Sequence, residues 1–382
     1  MKVIIATGIF PPDIGGPAIY VEKLARELKN KGVNVKVITY SDDGVNLKHQ
    51  RDYNFPVVRI SRNYSLPIRY FLYFWNLLKI AKDADIIYAQ DLFSSGLPAV
   101  LAKKILCKKL VIRLGGDFLC EKAITKEWFK GSLSIYYKQP KNILEKVFLK
   151  ITQYSLSGTD VIVFSTSWQK DIYLENYKIS QDKVKIIENP FPDIESPEIK
   201  KITETVNNKI IFAGRLIKLK NIDFLINAFS QVIIEYPDLK LEIIGNGPEE
   251  KHLKRLVRKL NLKNNVIFEK GLPSKKLTEK IRNCFLVIVP SLFEVSPNLV
   301  LECIKLKKPV LLTKESGFYQ EFKNKLIFID PFDQKDLEDK IKYLIDRKNY
   351  QEYQRKISFI STNYSWSEVV KQHIKIFKKL KL

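Results

Sequence analysis

The sequence predicts two consecutive α/β domains, each built on a doubly wound parallel sheet that is covered by helices. Short runs rich in Val and Ile alternate with helix-length amphipathic segments along almost all of the 382 residues. The runs Val-Ile-Val-Phe at 161–164 and Leu-Val-Ile-Val at 286–289 are apolar without alternation, which is typical of strands buried on both faces. Two successive series of such strands and helices indicate two domains, and the chain is long enough for two cores.

Six strands are predicted in each series. Those of the first series are residues 2–7, 34–39, 57–60, 85–89, 110–114 and 160–165. Those of the second series are residues 209–213, 240–244, 266–269, 285–289, 309–313 and 326–329. Between the two series, residues 188–197 contain three prolines, which stiffen an extended connector and prevent a helix from continuing through it. In such chains ligands bind at the carboxyl ends of the strands, so we expect the chemistry in a cleft between the domains.

Composition excludes several classes of protein. A hydrophobic content of 45% with 28% charged residues is that of an ordinary globular chain. The sequence has no apolar run of about 18 residues that would predict a spanning helix. The N-terminus leads directly into the first predicted strand and lacks the pattern of a signal peptide, so we expect a cytoplasmic protein.

Cysteine and histidine offer little for catalysis or metal binding. The four cysteines, Cys107, Cys120, Cys284 and Cys303, have no CxxC spacing, so we expect buried, reduced thiols and neither zinc nor disulfides. The three histidines, His49, His252 and His373, are far apart in polar or charged stretches of sequence. Chemistry that requires a histidine cluster is therefore not expected.

The net charge of +23 suits nucleic acid, an anionic membrane surface or a phosphorylated substrate. Only 12 of the 65 basic residues are arginines. A protein that recognises bases by bidentate hydrogen bonds would favour arginine over lysine. No basic run is interleaved with aromatic residues as a stacking platform would be. We therefore expect no nucleic-acid partner, and a general bias toward lysine is the alternative explanation of the charge.

A proline- and glycine-containing loop, residues 10–17, follows the first predicted strand. Gly15 and Gly16 stand at the turn into a helix that begins near Ala18. Paired glycines let the backbone approach a ligand closely, and the helix N-terminus supplies N–H groups for an anion. A tight turn without a ligand is the alternative.

The first strand of the second domain ends in Gly214-Arg215-Leu216, with Lys218 and Lys220 just beyond. Cations on a loop that leaves a buried parallel strand can hold a diphosphate without a metal. For the two lysines, solvated surface positions are a serious alternative in this lysine-rich chain, and for Arg215 a weaker one.

The segment 290–302 predicts the start of a helix at the mouth of the cleft. Ser296 is a suitable N-cap and Pro297 a suitable first helical residue. The N–H groups of Asn298 and Leu299 could then bind a phosphate.

Two carboxylates flank this helix start. Glu294 precedes the helix, and Glu302 lies inside it. Carboxylates beside a phosphate site are useful when the ligand also carries hydroxyl donors, as a sugar and a ribose do.

Two other motifs predict no cofactor and no metal. Gly245-Asn246-Gly247 approaches a dinucleotide fingerprint, but Glu250 occupies the third glycine position, so a nicotinamide or flavin is not expected. Asp83-Ala84-Asp85 has the spacing of a cation-binding motif, but it leads into a strand and is interpreted as a solvated connector.

In their order along the chain these motifs resemble the retaining glycosyltransferases of family 4, which have the GT-B fold. They are the early double-glycine loop, Gly214-Arg215-Leu216 with Lys220, Ile244 to Pro248, the Glu294 and Glu302 pair, Pro309-Val310 and Gly317. The resemblance spans nearly the whole chain and implies two Rossmann-like domains that face a central cleft. It implies a domain of residues 1–187, rejoined by a C-terminal helix at 365–382, and a nucleotide-sugar-binding domain of residues 188–364.

The resemblance also implies roles for single residues. Gly15, Gly16, Arg215, Lys220, Asn298 and Leu299 would hold the donor diphosphate, Glu302 the ribose, and Glu294 would act as a catalytic residue near the donor sugar. Many members carry a histidine after the fifth strand, where this chain has Gly115-Gly116-Asp117. Asp117 is therefore predicted as a second catalytic residue, with a loop-capping aspartate as the alternative. Family members need no metal.

The most aromatic stretch, residues 65–79, has basic residues near both ends. It predicts either a helix buried against the first sheet or an interfacial helix that reaches a lipid-linked acceptor. The second interpretation would place the protein peripherally on the inner face of the plasma membrane, with an anionic membrane surface as partner.

By resemblance, the chain would transfer a sugar with retention from a nucleotide diphosphate sugar to a saccharide or lipid-linked saccharide, in cell-surface glycan biosynthesis. Two alternatives stay open: a nucleotide-sugar-binding protein that has lost transfer, and, with less support, a basic nucleic-acid-binding protein.

Overall fold

The computed structural model of the chain describes residues 1–13, 15–42, 53–196 and 208–381. They form two compact units. Unit 1 comprises Met1–Asp117, Pro140–Pro190 and Tyr364–Leu382, and unit 2 comprises Phe118–Gln139 and Phe191–Asn363. His49 lies outside the described residues, as do single positions of the predicted loop, connector and C-terminal helix, namely residues 14, 197 and 382.

Unit 1 contains a seven-stranded, all-parallel sheet in the order β3-β2-β1-β4-β5-β6-β7. Its strands are β1 (Lys2–Ala6), β2 (Asn34–Ser41), β3 (Val57–Ser61), β4 (Ile86–Ala89), β5 (Lys109–Leu114), β6 (Val161–Phe164) and β7 (Val184–Ile186). The direction of the crossovers reverses between β1 and β4, which makes this the topological switch point of the sheet.

Helices cover both faces of this sheet. They are α1 (Gly16–Asn30), α2 (Leu66–Ala81), α3 (Gly96–Leu106), α6 (Ile143–Ser157), α7 (Ser167–Asn176) and α15 (Trp366–Lys381). The crossover through α1 leads toward the β3 edge of the sheet, whereas those through α2, α3 and α6 lead toward the β7 edge. Because such crossovers are right-handed, α1 lies on one face of the sheet and α2, α3 and α6 lie on the other. The α1 face is closed by α15, and both helices share one core with Val3 and Ile5 of β1. On the other face, the hydroxyl of Tyr73 in α2 donates to the carbonyls of Thr7 and Ile38, 3.2 Å away in each case.

His373 lies in α15 on the side that packs against the sheet. It is fully buried, with Nε2 3.2 Å from the Tyr88 hydroxyl and Nδ1 2.8 Å from the Val369 carbonyl oxygen. Burial lowers the pKa of His373 to about 4. The expectation of polar surroundings is wrong for this histidine, because Val369, His373 and Phe377 form the apolar stripe of the helix at four-residue spacing.

Unit 2 contains a six-stranded parallel sheet in the order β10-β9-β8-β11-β12-β13. Its strands are β8 (Lys209–Ala213), β9 (Lys240–Ile244), β10 (Val266–Glu269), β11 (Leu286–Val289), β12 (Val310–Thr313) and β13 (Ile327–Ile329). Its helices are α4 (Phe118–Thr125), α5 (Leu133–Tyr136), α8 (Ile222–Glu235), α9 (Glu250–Lys259), α10 (Ser274–Asn283), α11 (Asn298–Lys305), α12 (Tyr319–Phe322), α13 (Gln334–Ile345) and α14 (Arg347–Ser358).

The prediction of two parallel α/β domains is confirmed. All twelve predicted strands are present, most with ends within one residue of the prediction, and β7 was missed. This strand has three residues at the edge of its sheet, and Lys185 and Ile186 are exposed, so it lacks the continuous apolar run of a buried strand. Cys107 also departs from expectation, because it ends α3 in an exposed left-handed conformation while the other three cysteines are buried.

Residues 118–139 pack in unit 2, whereas the sequence-based bounds had placed them in the first domain. Two ion pairs, Arg215 with Glu121 and Lys218 with Glu127, hold this segment to the loop after β8. These contacts join residues about 90 positions apart in sequence, so no local pattern could indicate them. No helix in the described ranges has both the length and the apolar character needed to cross a membrane.

Candidate active site

The loop after β8 carries the predicted donor cations, and the loop after β9 fixes its position. The Leu216 N–H donates to the Asn246 carbonyl at 2.9 Å. A Cβ on Gly245 would lie 1.8 Å from the carbonyl oxygen of Gly214, and one on Gly247 would lie 2.2 Å from that of Leu216. Glycine is therefore required for this close approach of two backbones, which gives the Gly-Asn-Gly motif a structural reason.

Lys220 and Glu294 form an ion pair at the edge where the neighbouring strands β8 and β11 end. The Lys220 ammonium donates to Oε1 of Glu294, and the Ser291 hydroxyl donates to the same oxygen at 2.6 Å. The side chains of Lys220 and Glu294 are only 20% and 12% exposed. The Glu294 N–H donates to the Glu315 carbonyl, and the Gly317 N–H donates to the Glu294 carbonyl, each at 2.9 Å. The backbone that presents the Glu294 carboxylate is therefore held on both sides.

The other two cations of the β8 loop are also paired with carboxylates. Arg215 Nη2 lies 2.9 Å from Glu121 Oε1, and the Lys218 ammonium contacts Glu127. The hydrogen bond from Lys218 lowers the pKa of the Glu127 carboxyl. Both acidic partners come from residues 118–139. Sequence reasoning missed them, because neither Glu121 on the short helix α4 nor Glu127 in the turn after it carries a signal of its distant partner.

The N-terminus of α11 lies on the chain just after Glu294. The helix begins at Asn298 with Pro297 in extended conformation at the N-cap position, so the prediction of Ser296 as N-cap is wrong by one residue. Proline has no side-chain oxygen to cap the helix. The N–H groups of the first turn of a helix point toward its N-terminus and can donate to an anion, and here they include those of Asn298 and Leu299.

Glu302 lies on the second turn of α11 and accepts a hydrogen bond from the Thr278 hydroxyl of α10. Burial raises the pKa of Glu302, and this hydrogen bond partly offsets the effect. An ionised carboxylate can accept about four hydrogen bonds, so Thr278 leaves Glu302 able to accept from a ribose. Thr278 was not found from the sequence, since a threonine in a polar helix is unremarkable there.

The remaining predicted site residues belong to unit 1. Gly15 is the N-cap of α1 and has extended backbone, and Gly16 is the first residue of that helix. Asp117 is buried, and its Oδ2 accepts from the Tyr173 hydroxyl at 3.0 Å. Nothing in the geometry of unit 1 tests the roles assigned to these three residues, and they stay predictions.

Unit 1 also has a cavity of about 360 Å³ that sequence reasoning did not anticipate. It lies beyond the carboxyl ends of β1 and β2 and is lined by Tyr40, Arg62, Arg69, Tyr70 and Ser94, among others. Arg62 is held by Asp13 through bidentate hydrogen bonds, whereas the Arg69 guanidinium lies 5.5 Å from the centre of the Tyr40 ring. The Tyr40 hydroxyl donates to the Ser94 carbonyl at 2.9 Å. The cavity combines aromatic rings with hydrogen-bond donors.

Metal-ligating side chains do not cluster in the described part of the chain, where no group of three His, Cys, Asp or Glu could hold an ion. In the Asp83-Ala84-Asp85 motif, Asp85 instead accepts from the Lys2 N–H at 2.8 Å, and this hydrogen bond lowers the pKa of the carboxyl. The motif therefore joins β4 to β1.

Unit 2 thus gathers cations, helix N–H groups and carboxylates at the carboxyl edge of one sheet. Cations and a helix N-terminus together bind a diphosphate and stabilise the charge that develops when it leaves. Carboxylates accept hydrogen bonds from hydroxyl groups. This set of groups matches a ligand that carries both phosphates and hydroxyls.

Comparison with known proteins identifies the family that the chain resembles. Residues 14–193 match the family model Glycosyltransferase Family 4, and residues 195–359 match Glycosyl transferases group 1. The chain is 30% identical over 260 positions to the uncharacterized glycosyltransferase MJ1059 of Methanocaldococcus jannaschii, covering 63% of this chain and 58% of that one. It is 24% identical over 403 positions to MJ1607 of the same organism, covering 99% and 98%.

Among solved structures, Anabaena HepE in complex with UDP and glucose superposes with a TM-score of 0.77 at 16% identity, covering 99% of this chain and 100% of that one. The likeness in fold covers both α/β units of this chain. The two family models together match almost the entire chain. The chain therefore belongs to the family 4 type of glycosyltransferases, which have the GT-B fold.

Proposed function

We propose that this protein transfers a hexose from a nucleotide diphosphate sugar to a saccharide or lipid-linked saccharide, with retention, in the biosynthesis of cell-surface glycans. The observation that carries the proposal is the Lys220–Glu294 pair, which precedes the first turn of α11 in unit 2. The cation suits a phosphate and the carboxylate suits sugar hydroxyls. The UDP and glucose bound to HepE support a nucleotide sugar as the donor.

In the proposed reaction, an acceptor hydroxyl attacks the anomeric carbon while the bond from that carbon to the diphosphate oxygen breaks. The hydroxyl proton passes to the departing phosphate, on the same face of the sugar. Arg215, Lys220 and the N–H groups of Asn298 and Leu299 stabilise the charge on the leaving diphosphate. Glu294 accepts hydrogen bonds from the donor sugar.

The nucleotide ribose binds Glu302 in this proposal. Burial raises the pKa of Glu302 and so disfavours its ionised form, which is the better acceptor. Hydrogen bonds from the ribose hydroxyls would offset this effect and favour the ionised carboxylate. The protein needs no divalent metal or other cofactor, because the cations and the helix N-terminus offset the diphosphate charge.

The acceptor binds unit 1. The cavity at Tyr40, Arg69 and Tyr70 supports this part of the proposal, since aromatic rings pack against sugar rings while the guanidinium donates to hydroxyl or phosphate oxygens. A lipid-linked acceptor would bring the protein to the inner face of the plasma membrane.

The first experiment is a thermal-shift panel with UDP, GDP, ADP and CMP, each with and without EDTA. A ligand at 100 times its Kd adds about 2.7 kcal/mol to the free energy of unfolding, which raises Tm measurably. We expect one nucleoside diphosphate to raise Tm regardless of EDTA. Loss of the shift in EDTA would overturn metal independence, and no shift with any nucleotide would overturn the donor site.

Turnover separates a transferase from a protein that only binds the donor. The assay measures release of the selected nucleoside diphosphate from its sugar conjugates, with membrane extract or oligosaccharides as acceptors. We expect acceptor-dependent release and a product of unchanged anomeric configuration by NMR. An inverted product would contradict retention, and binding without release would favour the non-catalytic alternative.

A further inference from the structure

The helices α2, α3 and α6 of unit 1 expose an unusual amount of apolar side chain. The strongest examples are Ile68, Phe71 and Trp75 on α2, Ile105 on α3, and Ile143 and Val147 on α6. On the opposite face of the same sheet, Ile19 is the one large apolar residue that α1 and α15 expose in the part of the chain that the structure describes. The apolar exposure therefore belongs to one side of unit 1.

On α2 the exposed residues form a stripe that faces away from the sheet. Ile68, Phe71 and Trp75 follow each other at three- and four-residue spacing, on the side of the helix opposite the buried Tyr73 and Leu77. Phe71 and Trp75 are 61% and 48% exposed, and their rings stack with centroids 6.3 Å apart. An ordinary surface helix would carry polar residues in this stripe.

The three helices form one surface, because α3 packs against both α2 and α6. On α3, Ile105 is 62% exposed, and on α6, Ile143 is 80% exposed. The Lys104 ammonium of α3 donates to the Tyr154 hydroxyl of α6 at 3.0 Å and lies 4.4 Å from the centre of that ring. We call this surface the α2–α3–α6 face.

The charge on the α2–α3–α6 face has one sign. The three helices together contain a single carboxylate, Glu145, and it is buried in a capping box with Asn142. Exposed lysines accompany the apolar residues on every helix, at Lys79, Lys104 and Lys146. A surface that is both apolar and free of exposed acids complements an anionic, amphiphilic partner.

We propose that the α2–α3–α6 face binds the surface of an anionic lipid bilayer. Phe71, Trp75 and the aliphatic residues enter the boundary between headgroups and acyl chains, and the lysines pair with lipid phosphates. The inference rests on the proposed function, in which binding to the bilayer would bring the protein to a lipid-linked acceptor. Arg69 and Tyr70, on the same turns of α2, line the unit 1 cavity, so one helix contacts both the lipid and the acceptor site.

The test is flotation of the full chain with vesicles of phosphatidylcholine containing 30% phosphatidylglycerol, with pure phosphatidylcholine as the comparison. We expect binding to the anionic vesicles and at least tenfold weaker binding by Phe71→Ser/Trp75→Ser. The matched control is Ile234→Ser/Phe359→Ser, which removes residues that are 74% and 71% exposed in unit 2. This control should bind as the unaltered protein does.

A second pair of variants tests the charge. Lys79→Glu/Lys104→Glu/Lys146→Glu should abolish binding to anionic vesicles. The same change in net charge on α15, through glutamate at Lys371, Lys375 and Lys378, should reduce binding severalfold at most, because these lysines lie on the opposite face. Circular dichroism and Tm confirm that each variant is folded.

Equal binding by the Phe71/Trp75 variant and its control would overturn the proposal, as would no binding by the unaltered protein. A dimer in solution that this variant converts to monomer would also overturn it, by assigning the face to a second copy of the chain. Vesicle binding needs no nucleotide. Binding to vesicles without any thermal shift by nucleotides would therefore support the membrane-binding face and contradict the proposed transferase function. A thermal shift by a nucleotide without binding to vesicles would support the transferase function and contradict the membrane-binding face.

Discussion

The β8-loop cations of unit 2 and the buried histidine of unit 1 differ in the partners that surround them. In unit 2, the cations of the β8 loop face carboxylates: Lys220 faces Glu294, and Arg215 faces Glu121. A phosphate can replace a carboxylate in such a pair, since both are anions that accept hydrogen bonds. In unit 1, by contrast, His373 is buried against the Tyr88 hydroxyl and the Val369 carbonyl. Exchangeable ion pairs at strand ends indicate a binding site, whereas a buried group with neutral partners contributes to stability.

Glu294→Gln should have the largest effect, and this effect should be a loss of turnover. The amide keeps the shape of the side chain but removes the charge beside Lys220, so donor affinity should change less than fivefold while kcat falls about 100-fold or more. Steady-state kinetics and calorimetry with the nucleoside diphosphate separate the two. Glu242→Gln is the control, because it removes another buried, lysine-paired carboxylate of unit 2. A parallel loss of affinity and turnover would mean that Glu294 is architectural.

His373 should make the free energy of unfolding decrease in acid, which tests whether this buried histidine contributes to stability. The unfolded chain protonates this histidine below about pH 6.5, whereas the folded chain does so only near pH 4. Between these values the unfolded state binds more protons, so the free energy of unfolding decreases as pH falls, by about 3 kcal/mol in total. Urea denaturation at several pH values measures it.

His373→Gln removes this titration and retains a group that can hydrogen bond to Tyr88. The difference between the pH profiles of the variant and the unaltered protein should span pH 6.5 to 4 and level off below it. Parallel profiles would contradict a buried neutral histidine. Nucleotide affinity at pH 7.5 should be equal in the two proteins.

Arg215→Ala should weaken donor binding without lowering stability. Charge-assisted hydrogen bonds contribute about 1.5–3 kcal/mol, so we expect Kd to rise about 10- to 100-fold. Tm without ligand should stay nearly constant, because the side chain is 57% exposed and its pair with Glu121 is at the surface. Arg355→Ala, on α14, is the matched control. Unchanged affinity would remove Arg215 from the diphosphate site.

Much of the fold could be predicted from sequence because strands buried on both faces leave continuous apolar runs. The same signal fails for β7, whose short edge position leaves two of its three residues exposed. In the site, Glu294 and Lys220 could be found because each follows a strand of the same sheet at its carboxyl end. Glu121 and Thr278 could not, since their partners are set by tertiary packing alone.

The smallest effect should come from Glu121→Gln/Glu127→Gln. The unliganded cations Arg215 and Lys218 are paired with these carboxylates, which a bound diphosphate would have to displace. Exposed pairs contribute at most about 1 kcal/mol, so the neutral variant should bind the donor up to about fivefold more tightly, with a gain that shrinks at high salt. Glu235→Gln, which removes the exposed partner of Lys342, should leave affinity unchanged.

The same pair of carboxylates allows a sharper test of exchange. If phosphate and Glu121 compete for one guanidinium, the gain from Glu121→Gln should vanish when Arg215 is already alanine. An equal gain in both backgrounds would mean that Glu121 repels the donor through space and does not occupy its site. Weaker binding by Glu121→Gln would mean that the ion pair orders the β8 loop, and the distinction between exchangeable and structural pairs would fail for unit 2.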